Sequence, residues 1–197
     1  MSAAADTGRV RPYAPVLLVL AIPLLLIVSV QQDQRRNEHR LADIASEIAG
    51  RDVDVHCPGL LARLADVSAH AGTVFFDEQG RPADFTDLDE ETCSELDRFA
   101  EGKGGSGEDA KVARALHVLA HESSHLAGIR DEAAADCYGL QRTALVAESL
   151  GAEPAKAQRL ARLALAERAV TAPADYRSSE CRDGGALDLD PASAVWP

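Results

Sequence analysis

A chain of 197 residues has room for one domain and an appendage, not two full domains. Its formal net charge of −12 argues against a nucleic-acid partner, since binding phosphates calls for a basic surface. Hydrophobic residues make up 46% but aromatics only 4%, so a core has to come from helices packed closely, Leu against Ala.

Residues 1–12 form a short polar arm, expected on the cytoplasmic side. From Tyr13 to Val30 there is no charge, and these 18 residues are at the short end of what a helical membrane span needs. Pro23 is tolerable in such a helix. An uncleaved transmembrane anchor over 13–30 is therefore expected. A cleaved signal peptide is the alternative, but Val28, Ser29 and Val30 lack the small-residue cleavage pattern. Arg9 and Arg11 before the span and Arg35, Arg36 and Arg40 after it leave the positive-inside count undecided. The cysteines orient it better. Cys57, Cys93, Cys137 and Cys181 form an even set beyond the span, as expected of a domain exported to an oxidising compartment.

Residues 31–50 read as a helical stalk, with Leu41, Ile44 and Ile48 as an apolar stripe and Gly50 as its stop. Beyond it, 51–197 reads as one extracytoplasmic domain. Val53 to Cys57 alternates like a short strand, and Pro58 opens a helix to about Ala65. Thr73 to Phe85, turning at Gly80, predicts a β-hairpin. Asp87 to Ala100 predicts a helix with an acidic first turn. A Gly-rich linker over about 101–107 leads to three further helices, Glu108 to Leu126, Asp131 to Leu150 and Glu153 to Val170. The Asp-, Ala- and Pro-rich tail from Thr171 to Pro197 is expected to lie irregularly over the surface. The fold class is thus mainly α, or α+β with a small β-hairpin, behind an N-terminal transmembrane helix.

The chemistry is concentrated in the first of those three helices, where His121, Glu122, Ser123, Ser124 and His125 spell H-E-x-x-H. Histidines four apart share a helix face and can reach one metal ion, while Glu122 sits about 100° round from His121, at the edge of the site. Zinc in such a place lowers the pKa of a bound water, and the carboxylate can take its proton. Val112, Leu116, Leu119 and Leu126 lie on another arc, so one face is expected to pack while the other lines the site. His117 reads as a bystander or supporting residue. His39, His56 and His70 have no partners at ligand spacing.

After Gly128, Glu132 and Asp136 share a face at i, i+4 on the next helix. H-E-x-x-H followed by E-x-x-x-D resembles the gluzincin metallopeptidases, especially the membrane-associated branch and the neutral zinc metallopeptidases, in which Cys follows the Asp as Cys137 does here. The likeness covers about 25 residues, His117 to Gln141. It implies a zincin-like helical domain with Zn2+ held by His121, His125 and Glu132, Glu122 as general base, and Asp136 orienting a histidine ligand. H-E-x-x-H-x-x-G-x-x-D, ending at Asp131, is similar to the short metzincin pattern, which would make Asp131 the third ligand. That group relies on a downstream methionine turn, and the only methionine here is Met1, which favours Glu132.

Locality pairs Cys57 with Cys93 and Cys137 with Cys181, although three connectivities exist. The expected function is a membrane-anchored zinc metallopeptidase, a hydrolase acting on a peptide or protein substrate through a zinc-activated water. The alternative is a non-catalytic envelope binding or scaffold module retaining a zincin-like metal site.

Overall fold

The computed structural model describes residues 14–59, 71–103, 107–193 and 195–197. The chain divides into two compact units, residues 1–36 and residues 37–197. Of the expected span over 13–30, residues 14–30 are helical and only part of their side chains is described. Tyr13 is not described, and in the helix that follows the side chains of 14–21, 23, 24 and 27 are not. Among the described residues no helix is long and apolar enough to cross a membrane.

Helix α1 runs Ala14–Ala49. In its portion within the first unit, Ile22, Leu25, Leu26, Val28 and Val30 are exposed. Within the second unit, Leu41, Ile44 and Ile48 are buried in the main core, so residues 37–49 of the expected stalk are part of the domain itself. Arg51, just past α1, ties this helix to the site region. Its Nε donates to the Leu126 carbonyl at 3.2 Å and its Nη2 to the Ala83 carbonyl at 2.6 Å, and it pairs with Asp84.

The strands are β1 (Asp54–His56), β2 (Gly72–Thr73) and β3 (Phe85–Leu88), in the spatial order β1-β3-β2. The expected hairpin is present, with Phe76 bridging Pro82 and the Asp77 N–H donating to the Arg81 carbonyl at 2.9 Å. The sheet is larger than a hairpin, because β1 pairs in parallel with β3, Val55 opposite Thr86. β3 also corrects the predicted start of the next helix. Thr86 and Leu88 point inward and Asp87 outward, so strand alternation continues through Leu88. α2 accordingly spans Glu90–Ala100, capped by Asp89, whose carboxylate accepts from Thr92 N at 2.7 Å. The helix expected from Pro58 to Ala65 falls mostly on residues 60–70, outside the described residues.

α3 (Asp109–Leu126), α4 (Glu132–Ser149) and α5 (Pro154–Thr171) keep close to their predicted bounds, since each end carries its own local signal. Gly128, at φ +94°, takes the left-handed turn that reverses the chain after α3. Asp131 caps α4 by accepting from Ala134 N at 2.8 Å, and Pro154 opens α5. Leu116, Leu119, Leu126 and Leu160 are fully buried among many small residues, including Ala113, Ala120, Ala144, Ala147 and Ala161. This is the Leu-on-Ala packing the composition calls for.

α3 lies at the centre of this arrangement, and the expectation that it packs on one face only is corrected. Ser123 and Ser124 are completely buried, with hydroxyls donating back to the carbonyls of Leu119 and Ala120 at 2.6 and 2.9 Å. The α3–α4 approach is close enough to need Gly139. A Cβ there would lie 2.9 Å from the His121 backbone nitrogen and 3.0 Å from its Cα. Helix propensity alone would make Gly139→Ala stabilising by up to about 1 kcal/mol. Because the obstructing atoms are backbone, overpacking wins, and the variant is expected to lose about 1–3 kcal/mol in a urea melt. A gain in stability would show that the two helices separate at little cost.

Both disulfides form the expected pairs, Cys57–Cys93 and Cys137–Cys181. The first joins the end of β1 to α2. The second fastens the tail to α4, and Gln141 reinforces it through hydrogen bonds to the Leu187 carbonyl (2.8 Å) and Leu189 N (2.7 Å).

Candidate metal centre

His121 and His125 rise from successive turns of α3, both buried, with their Nε2 atoms 3.0 Å apart. Glu132, the first residue of α4, brings its Oε2 to 3.3 Å from each. The three donor atoms thus form a nearly equilateral triangle. Tetrahedral coordination with bonds of about 2.0–2.1 Å separates ligand atoms by about 3.3–3.4 Å, so the donor set fits zinc without rearrangement. Glu132 Oε2 is buried and accepts no hydrogen bond, although it faces two imidazole nitrogens.

The far side of each ring faces an oxygen. His125 Nδ1 donates to the Ile129 carbonyl at 2.6 Å, which leaves its Nε2 lone pair facing the triangle. His121 Nδ1 faces Asp136 Oδ1 at 3.8 Å. That same oxygen receives His117 Nε2 at 3.1 Å and Arg168 Nη2 at 2.6 Å. His117, His121 and Asp136 form a second buried group whose donor atoms lie close enough to hold a metal ion. The two groups share His121, one through each ring nitrogen. Arg168 sets them apart, because its fixed positive charge already occupies the Asp136 oxygen, whereas among the described residues no Lys or Arg pairs with the first triangle. Asp131, the other candidate third ligand, spends its side chain on capping α4.

Burial and charge tune these groups in a consistent direction. Burial holds the His121 pKa down, favouring the neutral imidazole that binds metal. Close contact with His121 above all, helped by His125 and Tyr176, pulls the Glu132 carboxyl down to about 2, so it is ionised at every physiological pH. Asp136 is likewise lowered. Burial opposes its ionisation, but His117 and Arg168 outweigh it. Glu122 goes the other way: burial, with the neighbouring Glu132 charge, pushes its carboxyl up to about 8.

Gly72 of the edge strand β2 lies directly against Glu122. A Cβ there would fall 2.5 Å from Glu122 Cγ and 2.7 Å from Oε1. The strand backbone therefore passes over the carboxylate at a distance only glycine permits.

Sequence reading overlooks one residue of this site. Tyr176, in a 3₁₀ turn over Ala174–Tyr176, stacks on His121 with ring centroids 5.7 Å apart, and its hydroxyl interacts with the Glu132 carboxylate. Burial and the Glu132 charge raise its pKa to about 12, which keeps it a protonated donor. Arg168 covers its ring at 5.3 Å. The one available hint is the Cys137–Cys181 pairing, which draws the tail across α4 five residues beyond Tyr176. Of the other histidines, His39 is exposed, His56 stacks on Phe85, and His70 lies outside the described residues. No family model, curated protein or solved structure matches the chain.

Proposed function

We propose that the chain is a membrane-anchored zinc metallopeptidase, with residues 1–12 on the cytoplasmic side, 13–30 as the anchor and the residues beyond the span extracytoplasmic. The convergence of His121 Nε2, His125 Nε2 and Glu132 Oε2 at 3.0–3.3 Å carries this reading. The two disulfides agree with an exported domain.

His121, His125 and Glu132 would hold Zn2+, and Asp136 and Ile129 would orient the two rings. Zinc bound there supplies Lewis acidity toward a substrate carbonyl and acidifies a water near it. Glu122 takes the proton and returns it to the leaving amine. A carboxyl with a pKa raised toward neutrality is suited to both transfers. Tyr176 offers its hydroxyl proton from the Glu132 side of the same space, where it can steady developing negative charge on oxygen. Among the described residues β2 is an edge strand, and its outer side gives an extended peptide a place to pair beside Glu122.

The brevity of β2 favours a second reading, a binding or scaffold module that keeps the metal but lacks turnover. Metal content decides between any zinc reading and a buried polar cluster. The full chain, purified in detergent and supplemented with Zn2+, is expected to retain one ion per chain. His121→Ala, His125→Ala and Glu132→Ala should each weaken it beyond the roughly 10–100-fold that supporting residues contribute, and Asp131→Ala should not. A wild-type chain without stoichiometric zinc would remove both readings.

A further inference from the structure

We propose that Arg130 is a substrate-binding residue that selects ligands carrying a carboxylate next to the metal centre; this rests on the peptidase reading above. Arg130 sits in the turn that builds the site. Ile129 before it holds His125 through its carbonyl, and Glu132, two residues on, belongs to the donor triangle. Arg130 is exposed, but its guanidinium has a partner. It stacks over Phe76, 5.6 Å from the ring centroid, and Phe76 in turn meets the His125 ring edge-on at 6.0 Å. Opposite, the hairpin turn makes room for it at Gly80, where a Cβ would lie 2.7 Å from Arg130 Nη1.

Arg130 is also an unspent charge. In a chain with 32 acidic residues against 20 basic ones, Arg51, Arg81, Arg98, Arg159 and Arg168 all pair with carboxylates. Among the described residues Arg130 makes no ion pair, and the adjacent Asp131 carboxylate is taken up by the α4 cap. A guanidinium with its face covered by an aromatic ring still presents a planar fork of N–H donors at its edge, and that fork matches a carboxylate. The carboxylate can be the C-terminus of a peptide or the side chain of an acidic residue.

Three small zinc-binding probes separate these sources: a peptidyl hydroxamate ending in a free carboxylate, the same compound as its C-terminal amide, and an amide carrying a Glu side chain. Their affinities for the zinc-loaded full chain are read by calorimetry. At least one acidic probe is expected to bind about tenfold or more tighter than the neutral amide, and which one does so identifies the source. Arg130→Gln should abolish that preference while leaving the neutral amide unaffected, and Arg130→Lys should keep part of it. Equal binding of all three probes, or a preference that survives Arg130→Gln, overturns the role of Arg130 alone. Failure of every probe to bind the zinc-loaded chain would overturn the metal-site reading and this inference with it.

Discussion

Glu122→Gln is expected to reduce peptide hydrolysis by about 10²–10⁴-fold while making the metal-free protein more stable at alkaline pH. The first effect follows from removing the group proposed to take a proton beside the donor triangle, and zinc content should be unchanged. The second follows from burial. In the folded chain the Glu122 carboxyl titrates at about 8, well above its ordinary value of 4.5. An acid raised in this way is stable in the fold while protonated. Its contribution is fully present below the unfolded value and disappears as pH rises through the interval from about 4.5 to about 8. Gln has no proton to lose there. Thermal melts of chelator-treated wild type and variant should therefore converge near pH 4–5 and diverge by a few kcal/mol near pH 9, with the variant higher. Parallel melts across that range would mean that Glu122 is more solvated than its burial indicates. Activity that persists in the variant would assign the motif to binding, not hydrolysis.

The same residue shows what a sequence can reveal of this site and where it stops. The spacing of His121, Glu122 and His125 is local, set by one helix, and a reader can place all three before any tertiary contact is known. The ends of α3, α4 and α5 are equally local, since Gly128, Asp131 and Pro154 signal them within a turn of where they act. Whatever depends on two distant segments meeting stays hidden. The parallel pairing of β1 with β3 joins residues about thirty apart, and with it the start of α2 moves from the expected Asp87 to Glu90. The fit of Gly139 against the His121 backbone and of Gly72 against Glu122 is of this kind, since each joins two segments that meet only in the fold. Tyr176 carries no motif, and only the tail's attachment to α4 brings it onto His121 and Glu132. The ionisation of Glu122 belongs to this second class too, because its raised pKa comes from what surrounds α3 and not from the motif.

Asp136→Ala is expected to be the most destabilising single change near the site, on the order of 3–5 kcal/mol, because one oxygen serves three neighbours from two other helices. Asp136 Oδ1 accepts from His117 and Arg168 and faces the Nδ1 edge of His121. All of this lies between α3, α4 and α5, with the side chains of His117 and Asp136 each only 5% exposed. Truncation leaves the Arg168 charge without its partner in a site too enclosed for full hydration, since that side chain is itself only 22% exposed. The melting temperature should fall by about 10 °C. Zinc affinity should drop about 10–100-fold, because His121 loses the carboxylate that its Nδ1 edge faces at 3.8 Å. The two effects separate in a double variant. Asp136→Leu combined with Arg168→Met removes the buried charge together with its partner and should recover much of the stability. It cannot restore the carboxylate beside His121, so zinc affinity should stay low. Recovery of both would mean that the network serves packing alone. An Asp136→Ala protein with wild-type stability and zinc binding would mean that the His117–Asp136–Arg168 chain carries neither fold nor site.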